Sequence, residues 1–216
     1  MLVLAIDTSS EAVTAAVVEV HGSEVIPPPV EVATINARGH GELLAPSIRQ
    51  ALEFAAASPD DLDAIVAGTG PGPYTGLRVG LVTAAVMGAA LGIPTYGVCS
   101  LDAIAAAYES IGSLLVVTDA RRKEVYWARY EDGVRIAGPD VDRPAEVPAA
   151  ATVGGAGAML YDFDGAFPEV RYPSAVALVG CALGRIRDHA SSEVLTPLYL
   201  RRPDAVVPAA PKPVTP

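Results

Sequence analysis

The sequence predicts an α/β protein arranged in two lobes, and three observations carry that expectation. Apolar strand-like runs alternate with stretches of helical periodicity through the first half of the chain. The pattern then starts again. Residues 2–6 form an apolar run that ends in Asp7, residues 114–118 form another that ends in Asp119, and two further strands follow each. Hydrophobic residues make up 51% of the 216 positions, which excludes disorder for the bulk of the chain. A chain of this length buries roughly 70% of its unfolded surface, enough for a core without metals or disulfides.

The elements follow in order. Residues 2–6 read as a strand buried on both faces, closed by the turn formers Asp7-Thr8-Ser9-Ser10. Residues 13–20 are a second strand. Residues 24–34 are a third, which Pro27-Pro28-Pro29 should confine to an edge because proline donates nothing to a ladder. Residues 39–57 have helical periodicity, with Leu43, Leu44, Ile48, Ala51, Leu52 and Ala55 on one face and Pro46 expected to bend it. A strand at 62–67 leads into Gly70-Pro71-Gly72-Pro73-Tyr74-Thr75-Gly76, which opens a helix reaching about residue 91. A strand at 93–98 and a helix at 101–108 complete the first pass. The second pass has strands at 114–118 and 124–130, a hairpin turn at Glu131-Asp132-Gly133 and a strand at 134–137. Residues 139–158 read as loop-rich and 174–189 as helix. The expected division is a first lobe at 1–98, a smaller second lobe at 99–202 and a proline-rich mobile tail at 203–216.

Charge and cysteine content narrow the class. The net charge is −10, and residues 1–98 hold only Arg38, Arg49 and Arg78 against ten acidic side chains. Phosphate contacts need clustered cations, so this half is a poor nucleic-acid surface. The tightest basic clusters are Arg121-Arg122-Lys123 and Arg201-Arg202. Cys99 and Cys181 sit in apolar surroundings and read as reduced core residues of a cytoplasmic protein. No basic leader precedes residues 1–6, and the weakly polar run 79–92 falls short of the ~20 residues a membrane span needs.

Two motifs could carry chemistry. Asp7, Thr8 and Ser9 at a strand end could hold a metal–phosphate group, or could satisfy the amides of their own turn. Gly70 and Gly72 lead to a helix N-terminus, where free amides favour anions. No Lys-Ser/Thr follows those glycines, so the loop is not a Walker P-loop. None of His21, His40 and His189 has a partner at metal-ligand spacing.

The helix that follows is more informative. Between Thr75 and Leu91 the only polar side chains are Thr75, Arg78 and Thr83, so it lacks a polar outer face. Gly76, Gly80, Ala84 and Gly88 stand four apart. Interior glycine costs about 1 kcal/mol relative to alanine, a loss that close backbone approach offsets. Either the chain covers both sides, or one side docks another subunit. The docking expectation comprises Leu43, Leu44 and Ile48 from the first helix. It adds Thr75, Gly76, Arg78, Val79, Gly80, Val82, Thr83, Val86 and Met87 from the second.

Four stretches together resemble the TsaB family, also called YeaZ: Leu4-Ala5-Ile6-Asp7-Thr8-Ser9, the loop and helix start from Gly70 to Gly80, Asp119-Ala120-Arg121-Arg122-Lys123-Glu124-Val125-Tyr126-Trp127-Ala128, and Pro197-Leu198-Tyr199-Leu200-Arg201. The resemblance spans about residues 1–202. It implies a two-lobed actin/Hsp70/sugar-kinase-like (RNase H-like) fold with a reduced second lobe. It also implies a role in making N6-threonylcarbamoyladenosine beside the tRNA anticodon. The implied partners are TsaD, which performs the transfer, TsaE, an ATPase, and a second copy of the chain when TsaD is absent. tRNA is then met only through the complex, with any contact by Arg121, Arg122 and Lys123 auxiliary. TsaD carries two metal-binding histidines where this chain has Ser100 and Ile104, which cannot replace nitrogen ligands. The resemblance therefore implies a scaffold with no catalytic residue, no metal and no tightly bound cofactor. Asp7, Thr8, Ser9, Gly70 and Gly72 would be a vestigial phosphate site, and nucleotide would lodge at the subunit boundary. The competing expectation is an ATP-binding phosphotransferase of the same fold, with Asp119 contributing from the second lobe.

Overall fold

The computed structural model describes residues 1–36, 39–108, 112–167 and 169–201. Arg38, Arg202 and the expected tail at 203–216 lie outside these residues. Strands β1 (Leu2–Asp7), β2 (Ala12–His21), β3 (Glu24–Ile35), β4 (Ala64–Gly68) and β5 (Thr95–Val98) form one sheet in the order β3-β2-β1-β4-β5. β1 runs antiparallel to β2 and parallel to β4, and β5 continues parallel to β4. The three prolines sit in β3, an edge strand as expected.

Alternation along β1 sends side chains to two separate cores. Leu4 and Ile6 pack against α1 (His40–Phe54) and α2 (Tyr74–Leu91). Val3 and Ala5 pack against α4 (Ala175–Arg187), with Ala103 of the short α3 (Ser100–Ala105). β1 is therefore buried on both faces, which explains its continuous apolar run. α1 ends at Phe54, earlier than expected, and Ser58 instead caps a 3₁₀ turn at Pro59–Asp61.

The second sheet has the order β8-β7-β6-β9, built from β6 (Ser113–Asp119), β7 (Val125–Glu131), β8 (Val134–Asp142) and β9 (Thr152–Gly154). The hairpin turns at Asp132 and Gly133, both at positive φ. The loop-rich stretch from 139 to 158 also holds the end of β8 and all of β9. Both escape notice because β8 is broken by Gly138-Pro139 and β9 has only three residues. α4, expected within the second lobe, packs on the first sheet, because the far face of β1, β2 and β4 needs an apolar cover. α3 and Tyr108 cover one face of the second sheet, and residues around 147–163 cover the other. Both cysteines are free, but only Cys99 is buried; Cys181 is exposed on α4, against expectation.

Beyond α4 the chain runs as an extended strap along the outer edge of β5. Glu193 donates its backbone N–H to the Thr95 carbonyl (2.8 Å), and its side-chain Oε2 accepts the Gly97 N–H (2.9 Å). Ser192 Oγ accepts the Thr95 N–H (3.1 Å). The strap thus pairs an edge that would otherwise be an open template for another chain.

Candidate functional site

β1 delivers Asp7 to a closed box. The carboxylate is 1% exposed. Its Oδ1 accepts the Ser9 N–H (2.8 Å) and hydroxyl (2.7 Å), and its Oδ2 accepts the Ser100 hydroxyl (2.6 Å). Ser100 Oγ in turn accepts the Gly70 N–H (3.1 Å). Burial holds the Asp7 carboxyl above its usual range, while the hydrogen bonds from Ser100 and Ser9 pull it back. Both carboxylate oxygens are used inside the protein. Of the two expectations for this turn, self-satisfaction is the one these contacts fit. Ser100, read in the sequence only as a lost metal ligand, is a structural partner of Asp7.

Thr8 points the other way, into α2. Its Oγ1 donates to the Gly76 carbonyl (2.7 Å) and accepts the Gly80 N–H (3.0 Å). A Cβ on Gly80 would stand 2.5 Å from Thr8 Oγ1, and one on Gly76 would stand 2.6 Å from the Thr8 carbonyl oxygen. Gly72 lies against the Ser9 carbonyl and Gly88 against Thr95, with no room for a Cβ at either. Gly70 has φ +90°, a conformation that favours glycine. The glycines of loop and helix thus bring backbone onto the chain's own first turn.

That placement divides the expected docking residues. Gly76 and Gly80 are buried against Thr8, and Leu44 (1% exposed) and Ile48 (6%) are buried in the first-lobe core. These four are corrected: the chain's own Thr8 takes up Gly76 and Gly80, and Leu44 and Ile48 turn inward from α1 onto the first sheet. The opposite side of α2 stays open. Val82 is 55% exposed and Val86 62%, Thr75 and Arg78 are exposed, and Val79, Thr83 and Met87 are half-buried. Leu43 is half-buried on α1. Tyr74, Thr75, Arg78, Val79, Val82 and Thr83 line an open groove of about 370 Å³. α2 is long and apolar enough to cross a membrane by length and composition, a correction to the shorter run read from sequence. Its glycine side is nevertheless packed into the protein core.

A second cavity of about 300 Å³ is lined by Ser9, Ser10 and His40 beside the first sheet, by Asp119 and Arg121 at the end of β6, and by Met159, Leu160 and Arg171. His40 opens α1 directly after its N-cap Gly39 and is buried. Its Nε2–H donates to the Ser10 carbonyl (2.6 Å). Arg121, Arg122 and Lys123 all have positive φ (65°, 54° and 64°), a rare run without glycine. The turn is held by Asp119 Oδ1, which accepts the Arg121 N–H (2.8 Å), and by two backbone bonds, from the Ala120 N–H to the Glu124 carbonyl and from the Glu124 N–H to the Arg121 carbonyl. Arg201 donates to the Ala120 carbonyl (2.8 Å) and pairs with Glu124 (2.9 Å).

Among the described residues no group of three or more His, Cys, Asp and Glu gathers as a metal cluster would. Burial pushes the Cys99 thiol up to about 11, so it stays protonated at neutral pH. Tyr74 and Tyr199 belong to two separate motifs of the sequence, which the fold brings together. Their rings stack at 4.9 Å, and nothing local in either segment signals a pair so far apart in the chain.

Comparison with known proteins adds to this geometry. Residues 32–177 match the family model described as TsaD: tRNA N6-adenosine threonylcarbamoyltransferase. An uncharacterized protein of Mycobacterium tuberculosis is 50% identical over 205 residues, 94% of this chain and 93% of that one. The tRNA threonylcarbamoyladenosine biosynthesis protein TsaB of Bacillus subtilis is 34% identical over 132 residues, covering 61% of this chain and 56% of its own length. The solved structure of YeaZ from Pseudomonas aeruginosa superposes with a TM-score of 0.78 at 25% identity, over 92% of this chain and all of that one (100%).

Proposed function

The chain belongs to the TsaD family of tRNA threonylcarbamoyladenosine biosynthesis, among its TsaB (YeaZ) members, and we propose that it serves there as a non-catalytic scaffold subunit. In this reading it works in the cytoplasm and binds TsaD, and TsaE joins the pair. The assembly transfers the threonylcarbamoyl group to the adenosine beside the tRNA anticodon. tRNA meets the chain only through the complex, nucleotide lodges at the subunit boundary, and the chain pairs with itself when TsaD is absent.

The observation that carries this reading is the outer side of α2. One side of the helix is glycine set into the core, and the other presents Val82, Val86 and Tyr74 to solvent. A contiguous apolar patch on a soluble protein marks an interface. The enclosed Asp7 supports the non-catalytic part, since its carboxylate is buried and both oxygens are hydrogen-bonded inside the protein.

Calorimetric titration of the purified chain against TsaD of the same organism tests the proposal. Val82→Arg places a charge where apolar contact is needed and should weaken binding by about tenfold or more. Unchanged affinity in the folded variant removes α2 from the interface. The competing phosphotransferase reading draws support from the cavity beside Asp119 and Arg121. Saturable heat on titrating Mg-ATP into the isolated chain would favour it.

A further inference from the structure

The strap after α4 does more than cover β5. Leu198 donates its N–H to the Thr69 carbonyl (2.9 Å), which brings the next residue, Tyr199, to the start of α2. There the Tyr199 ring stacks on Tyr74, with centroids 4.9 Å apart and planes 28° from parallel. Arg78 lies one helical turn on. Its guanidinium sits 5.2 Å from the Tyr74 ring centre and donates to the Tyr74 hydroxyl (3.0 Å). Two residues past Tyr199, Arg201 grips the carbonyl of Ala120 and the carboxylate of Glu124 in the second lobe. Tyr74 and Arg78 line the open groove on α2. Tyr199 is still 43% exposed and Tyr74 55%, so the stack forms a free surface and not a buried core contact.

We propose that the stack of Tyr199, Tyr74 and Arg78 is the anchoring end of the TsaD-docking groove, held in place by the lock of Arg201 on the second lobe. The inference rests on the docking role argued above and adds residues outside the first lobe to it. Tyrosine and arginine are the side chains that dominate protein interfaces, because they offer large rigid area with a polar tip. A lone tyrosine at a helix start would swing freely. Stacked on a second ring and hydrogen-bonded through its hydroxyl to a guanidinium, Tyr74 is set before the partner arrives, which removes an ordering cost from binding. Tyr199 is then a contact residue and Arg201 a positioning residue that acts through it.

The test is a series of four variants titrated against TsaD of the same organism, with hydrogen exchange on the free chain. Tyr199→Ala should weaken docking by about tenfold, and Tyr199→Phe, which keeps the ring, should restore it. Arg201→Ala should weaken docking by about threefold and speed exchange at the Leu198 amide, because the strap loses its second-lobe hold. Val82→Arg, in the middle of the groove, reports on the docking role itself. If Val82→Arg abolishes docking and Tyr199→Ala binds like the parent, the stack is packing alone and the inference is overturned. If neither change affects binding, the docking role fails and the inference goes with it. A Tyr199→Ala protein with a much lower melting temperature, unrescued in binding by Tyr199→Phe, also overturns it.

Discussion

Thr8 places its hydroxyl between two successive turns of α2, accepting the Gly80 N–H at 3.0 Å while donating to the Gly76 carbonyl. The first turn after β1 and the helix thus share hydrogen bonds that a helix ordinarily keeps to itself. A Cβ on Gly80 would meet the Thr8 hydroxyl and one on Gly76 the Thr8 carbonyl oxygen, which is why glycine occupies both positions.

Gly80→Ala therefore tests folding and not docking. The added methyl would meet Thr8 Oγ1 at 2.5 Å. Overpacking of this kind costs roughly 1–3 kcal/mol, against a gain in helix propensity of about 1 kcal/mol. The net expectation is a lower urea midpoint and a melting temperature down by a few degrees, at about 2–4 °C per kcal/mol for a chain of this size. A variant as stable as the parent would show that the Thr8 contact gives way freely.

Asp7→Asn should change how stability depends on pH. Burial keeps the Asp7 carboxyl above its ordinary 3.8 in the folded chain. The folded state then holds its proton more tightly than the unfolded state. The stability this contributes is complete below the unfolded value and is lost as pH rises through the folded value. Urea titrations of parent and variant from about pH 4 to about pH 7 should show the difference shifting in favour of Asn with rising pH. A flat difference would mean that the Ser9 and Ser100 hydrogen bonds cancel the cost of burial.

Glu193→Ala should loosen the strap. Its carboxylate takes the Gly97 N–H (2.9 Å) and two contacts from Arg185 Nη1 (2.8 and 2.9 Å), and the same nitrogen donates to the Gly97 carbonyl (2.9 Å). Truncation strands the Gly97 donor and should cost about 1–2 kcal/mol, while Glu193→Gln keeps an acceptor in place and costs less. Hydrogen exchange at Gly97 separates the two, since only the alanine variant should exchange markedly faster.

The elements most readable in sequence were those whose burial follows a simple period. β1 reads as doubly buried because a helix layer covers each face, and the proline-bearing β3 reads as an edge because proline cannot donate. β9 was not readable, since three residues carry no period, and the strap has no element type at all. The division of the docking residues was hidden for a related reason. A helix apolar all round has no amphipathic direction, so its inward side cannot be found by counting.

What the sequence alone determined is the kind of each element, the apolar excess of α2 and the glycine spacing that demands a close neighbour. Only the tertiary structure decided which neighbour. Thr8, His40 and Thr95 come from other elements, and their approach to Gly76, Gly80 and Gly88 turns the glycine side inward and leaves Val82 and Val86 outside. Side-chain chemistry sets what an element is, whereas the side it shows to solvent depends on what long-range packing brings against it.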